Sequence, residues 1–156
     1  MRCVLAGRGA FVDTPVMRQS VYVSARRSRL LAQHPVVASA LAAVPSDRLG
    51  EVVRVVVTVA ARTRGVPELC EASSDLDELA ADLDDVAWRA QLVEERGDRS
   101  GVSYDEAFQR ARAVAAWRKA ATAIDADTAS DAVYEALHSL GGDSAAEAHV
   151  VELLQA

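Results

Sequence analysis

Between Leu76 and Val93 the apolar residues Leu76, Leu79, Leu83, Val86, Ala90 and Val93 recur at alternating spacings of three and four. This is an a/d heptad stripe, and it predicts an amphipathic helix over 75–95. Asp77, Glu78, Asp82, Asp84, Asp85, Glu94 and Glu95 fill positions between the apolar ones. Such a helix cannot bury its stripe unaided, so other segments must cover it.

The segment 47–63 offers one cover. Leu49, Val52, Val53, Val56, Val59 and Ala60 share one helical face, and Arg48, Glu51, Arg54, Thr58 and Arg62 share the opposite one. Runs of valine often form strands. Here the length and the placing of the polar positions predict a helix, and its valine face is expected to lie on the stripe. A second cover follows a glycine-containing loop. Ser103-Tyr104-Asp105-Glu106 is a capping box, which opens a helix to about Ala123. Its inward residues, Ala107, Phe108, Ala111, Val114, Ala115 and Ala121, are mostly small. The short connection predicts an antiparallel hairpin with helix 75–95 that encloses the stripe.

Other elements read less sharply. Thr14-Pro15 predicts a helix start, carried to about residue 33. Ser20-Val21-Tyr22-Val23-Ser24 alternates as a strand would. Pro35 opens a short helix through Val44. A helix over 129–140 stops at Gly141-Gly142, and Ser144 with Glu147 opens a last one to Leu154. Gly7 and Gly9 predict a flexible arm over 1–13, and Met17 is a second candidate start besides Met1. The pattern as a whole predicts an all-α, single-domain antiparallel bundle of about six or seven helices over 14–156.

Composition adds two constraints. Aromatic residues are only 4% of the chain although 51% is hydrophobic, so Ala, Val and Leu must fill the interior. Charge is unevenly placed. Residues 1–64 hold ten arginines and three acids, whereas 65–156 hold seven basic residues and twenty acids. The basic half (14–64) and acidic half (65–156) either attract each other within the fold or present surfaces of opposite sign. Cys3 and Cys70 form no CxxC pair, which indicates neither a disulfide framework nor a thiolate zinc site. A reducing cytoplasm is the expected compartment. Arg26-Arg27-Ser28-Arg29-Leu30-Leu31 is similar to a twin-arginine export signal, but Gln33, His34 and Pro35 interrupt its apolar region.

Candidate chemistry is sparse. There is no HExxH, GxSxG or P-loop. Glu135-Ala136-Leu137-His138 is a single ExxH, where a helical di-iron site needs two, so His138 is expected at the surface or as a cap. Cys70 lies among acids that would raise its thiol pKa, and a buried structural role is expected.

The carboxylates allow an enzyme reading. Glu68 and Glu71 are spaced ExxE and Asp82 and Asp85 DxxD, ahead of a glycine-containing loop and the Ser103 helix start. Acids three apart share a helix face, as hard-cation binding requires. Over roughly residues 66–118 this order resembles the all-α MazG-type nucleotide pyrophosphatases. The resemblance implies Mg²⁺ held at a triphosphate by Glu68, Glu71, Asp82 and Asp85. Asp82 stands where that family has Glu, and the gap between motifs is short. A strand at Val21-Tyr22-Val23 ahead of two helices resembles a ribbon–helix–helix unit, which implies DNA contacts by Arg26, Arg27 and Arg29.

Trp88 lies off the apolar stripe of its helix and Trp117 off that of its own. Off-stripe tryptophans in an aromatic-poor chain mark a second buried contact or an interface. The sequence therefore points first to a non-catalytic interaction or regulatory protein, antitoxin- or immunity-like in its charge pattern. Its expected interaction face comprises Trp88, Trp117, Asp84 and Asp85, and its expected partner is a basic protein or a second copy. No cofactor or membrane is implied, and Mg²⁺ belongs only to the pyrophosphatase reading.

Overall fold

The computed structural model describes residues 29–67, 75–97, 101–122 and 124–156. The arm at 1–13, the helix start at Thr14-Pro15, the segment 20–24, Arg26, Arg27, Glu68, Cys70 and Glu71 lie outside the described residues.

Every regular element among the described residues is helical. In chain order they are α1 (Pro35–Ala42), α2 (Leu49–Thr63), α3 (Leu76–Glu95), α4 (Tyr104–Ala120), α5 (Ala126–Ser139) and α6 (Ser144–Gln155). Residues 29–33 are also helical and lead into α1. The bundle architecture expected from the apolar periodicity is what the chain forms.

The helix ends follow local chemistry. Asp75 caps α3 by accepting the backbone N–H groups of Asp77 and Glu78, and Asp125 caps α5 through Asp127 and Thr128. Ser103 caps α4, its Oγ accepting the Glu106 N–H at 3.2 Å. The return half of the expected capping box is not formed. Glu106 instead faces Arg110 one turn on, at 3.6 Å. Asp143, not Ser144, caps α6. α5 ends in a Schellman turn: the Gly142 N–H reaches Leu137 O at 3.0 Å and the Gly141 N–H reaches His138 O at 3.2 Å. Both glycines have positive φ, 116° and 68°, which L side chains rarely adopt.

α4 is the central helix. It packs against α3 on one side and against α2 and α5 on the other. Ala107, Ala111, Ala113, Val114, Ala116 and Ala120 are buried around it. Its small side chains let three neighbours approach, which explains why α4 is nearly all alanine where it meets them. α2 forms despite its valines because Val52, Val53, Val56, Val57, Ala60 and Ala61 are all buried. α1 packs on α6, and Leu30, Val37 and Leu41 enter the main core.

The interior has two parts. The larger joins α1, α2, the end of α4, α5 and α6, with Val53, Val56, Val133, Leu137 and Val150 at its centre. The smaller joins Ala61 and Val66 with Ala80 of α3 and Ala113 and Val114 of α4. Trp117 packs against both.

The valine face of α2 does not cover the α3 stripe. It is spent on α4, α5 and α6, and α2 meets the α3 side only through Ala61 at its end. α3 therefore has one substantial helical neighbour among the described elements, α4.

Candidate interaction face

The α3–α4 hairpin is antiparallel, with matched ion pairs along its length. Asp77 pairs with Arg118 and Asp84 with Arg112. At the far end Glu94 Oε1 accepts the Tyr104 N–H at 2.8 Å. Arg112 also reaches Glu135 of α5 at 3.2 Å, and Lys119 reaches Asp131 at 3.2 Å. Burial opposes the Arg112 charge, yet Glu135 and Asp84 outweigh it and hold the guanidinium pKa above its ordinary value. The cations of α4 thus stitch acids of α3 and α5 together, all within the acidic half.

One-sided cover changes the meaning of the heptad stripe. A straight α-helix drifts about 20° per heptad relative to a 3.5-residue repeat. With a single neighbour to follow, α3 buries Ala80 and Ala87 most deeply. The line Leu79, Val86, Val93 leaves the contact with α4 after its first member. Leu79 is partly buried, but Val86 is 44% and Val93 38% exposed. The expectation that the hairpin encloses the stripe is corrected: its inner edge is internal and its outer edge is open.

The acidic side of α3 faces solvent. Trp88 is 58% exposed, with Asp84 and Asp85 one turn before it. Asp85 pairs with Arg89 on the same helix, and Asp82 is exposed. Trp117 stands apart from this group. Its neighbour Arg118 meets Asp77, eleven residues before Trp88, which is about 16 Å along the helix. Trp117 lies instead over the α2–α4 seam, bordering a hollow with Arg54, Val57 and Thr58. Of the four residues expected to form the face, Asp84, Asp85 and Trp88 come together and Trp117 does not.

The remaining candidates are dispersed or otherwise engaged. Asp82 and Asp85 are exposed one turn apart, and no group of three or more His, Cys, Asp or Glu side chains among the described residues could hold a metal ion. Arg29 lies over the Tyr134 ring, 4.8 Å from its centroid. No described helix is long and apolar enough to cross a membrane.

One cluster was missed by sequence reasoning. His138 is not at the surface. It is half-buried against Tyr134, ring centroids 4.4 Å apart, and edge-on to His34 at 5.3 Å. His34 is only 6% exposed and bonds Glu147 at 2.6 Å. Tyr134 and His138 lie one turn apart on α5, His34 precedes α1 and Glu147 is on α6, so the cluster forms only when these elements pack together. The only sequence signal was Glu147 itself, one turn into a helix whose cap is Asp143.

No family model matches the chain, and neither the curated proteins nor the solved structures contain a significant match to it.

Proposed function

We propose that the protein is a non-catalytic interaction or regulatory module that binds a basic protein partner through the outer face of α3. The observation that carries this reading is Trp88, a large aromatic left 58% exposed beside Asp84 and Asp85. Its exposed indole offers a large apolar surface with a polar N–H, and tryptophan is enriched among residues that dominate binding. An arginine of the partner could lie over the indole while reaching Asp85. The Asp85–Arg89 pair is solvent-exposed and is cheaply exchanged for such a contact.

Charge argues for a different chain over a second copy. α3 carries seven acids against one arginine, so two such faces would repel.

The test is affinity capture with the full chain as bait, comparing wild type with Trp88→Ala and Asp85→Asn. A specific basic protein should be retained by wild type, lost with Trp88→Ala and weakened by salt. Circular dichroism should show both variants folded. A monomeric bait that retains nothing, or retains the same protein equally with Trp88→Ala, defeats the proposal.

A further inference from the structure

His34 sits where the chain passes from helical residues 29–33 into α1. Its backbone N–H bonds Leu30 O at 2.7 Å, and its ring enters the interior between α5 and α6. Glu147 of α6 is a carboxylate and carries no proton, so His34 Nδ1 is the donor in the 2.6 Å bond. That leaves His34 Nε2 buried with no hydrogen-bond partner among the described residues, and His138 Nε2 of α5 is in the same condition. The rings meet edge to face with centroids 5.3 Å apart. Gly142 closes one side of His138: a Cβ there would lie 3.2 Å from Nδ1, so the Schellman turn sits against the imidazole.

The acids around the pair are already engaged by other groups, which leaves no counterion for a second cation there. Glu147 is the carboxylate bonded to the pair, and it is committed to His34. Arg29, from residues 29–33, lies over Tyr134, the ring packed at a tilt against His138, while the Tyr134 hydroxyl bonds Gln33 at 3.0 Å. Arg112 of α4 adds positive charge felt by His138, while its own partners are Glu135 of α5 and Asp84. On α2, Arg64 is occupied by Ser139 O, and on α4, Lys119 by Asp131. Adding a proton to His138 would place a charged, unpartnered Nε2–H in the interior beside His34, Arg29 and Arg112.

We propose that the His34–His138 pair is an acid-operated catch, holding residues 29–42 on α5 and α6 while His138 is neutral and releasing them when it is protonated. Burial, then His34, Arg112 and Arg29, push the His138 pKa below the ordinary imidazole value, in the direction this requires. With the segment released, His138 takes up a proton at the ordinary value, about 6.5, and with the segment docked it does so only at lower pH. Attachment is therefore at full strength above that value. It weakens as pH falls below it, until the docked ring also protonates. Release would withdraw Leu30, Val37 and Leu41 from the core and expose the surface they cover.

The experiment is an NMR titration of the full chain from about pH 7.5 to 5.5, spanning the histidine range. The exposed His149 serves as internal reference. The His138 ring signal should titrate below that of His149. Amide-exchange protection at Val37 and Leu41, corrected for intrinsic rates, should fall as pH drops below about 6.5. Protection at Val53 and Val114 should hold. His138→Gln should abolish the pH dependence at Val37 and Leu41, and His149→Gln should preserve it. If His138→Gln does not fold, the wild-type titration decides alone. Joint titration of His138 and His149, or loss of protection at all four amides in step, overturns the proposal.

Discussion

Arg64, the residue that ends α2, donates its Nε–H to the carbonyl oxygen of Ser139, the last residue of α5, at 2.7 Å. That carbonyl has no partner within its own helix and sits at the negative end of the helix dipole. A guanidinium there fills an open acceptor and ties two helix ends 75 positions apart. Arg64→Ala should destabilise the fold by about 1–3 kcal/mol, the range for losing a hydrogen bond to a charged group. Urea unfolding measures it. Arg64→Met, which keeps most of the stem, should lose nearly as much. A change under about 0.5 kcal/mol would put the bond among neutral surface contacts.

The two tryptophans should separate cleanly. Trp117 packs on both parts of the core, so Trp117→Ala should cost up to about 3–5 kcal/mol, the range for deleting a core aromatic. Trp88→Ala should stay within about 0.5 kcal/mol, as for a surface site. In single-tryptophan variants, Trp117 should emit at shorter wavelength and resist acrylamide quenching more than Trp88. Equal quenching of the two would contradict their placement.

Asp125 gives a pH-dependent contribution with a defined sign. The backbone N–H and hydroxyl of Thr128 donate to its carboxylate and hold its pKa below the ordinary value. The charged cap therefore stabilises α5 above the unfolded carboxylate value of about 3.9, and this is lost as pH falls through the lower folded value. Asp125→Ala should cost about 1 kcal/mol at neutral pH. The gap should shrink when thermal melts are repeated in acid, and the gap to Asp125→Asn, which also lacks the carboxylate, should change with pH in parallel. A gap independent of pH would mean that the charge contributes nothing.

Ala113 and Ala116, one turn apart on α4 and packed into different parts of the core, leave no room for growth. Each is fully buried, one in the smaller core and one in the larger. Ala113→Leu and Ala116→Leu should each destabilise by about 1–3 kcal/mol from overpacking. Ala81→Leu, on the exposed side of α3, should be neutral by the same denaturation assay.

Much of this architecture was legible in the residues. Helix positions followed from apolar spacing, and Ser103 announced its cap. The valines of α2 read correctly as helical because their polar neighbours kept a 3.6-residue period. The partner of each face was less legible. A heptad stripe states that α3 needs cover but not how many helices supply it. The alanines of α4 look like one weak stripe because alanine is buried on both sides of that helix, which blurs the period. The His34–Glu147 contact spans 113 positions, and no local pattern encodes a pairing created by how α1 docks on α6. The candidate face was half visible: Trp88 with Asp84 and Asp85 from helical spacing, Trp117 misassigned because an off-stripe position looks alike in an outer helix and a central one.

The contrast between α3 and α4 has an evolutionary consequence. Substitution in α4 is constrained from every side, since its alanines can neither grow into three neighbours nor shrink to glycine without loosening the helix. α3 answers to one neighbour. Its solvent-facing residues can therefore be exchanged almost independently of folding. Asp85, Trp88 and the positions around them can diverge while the alanine helix beneath stays the same.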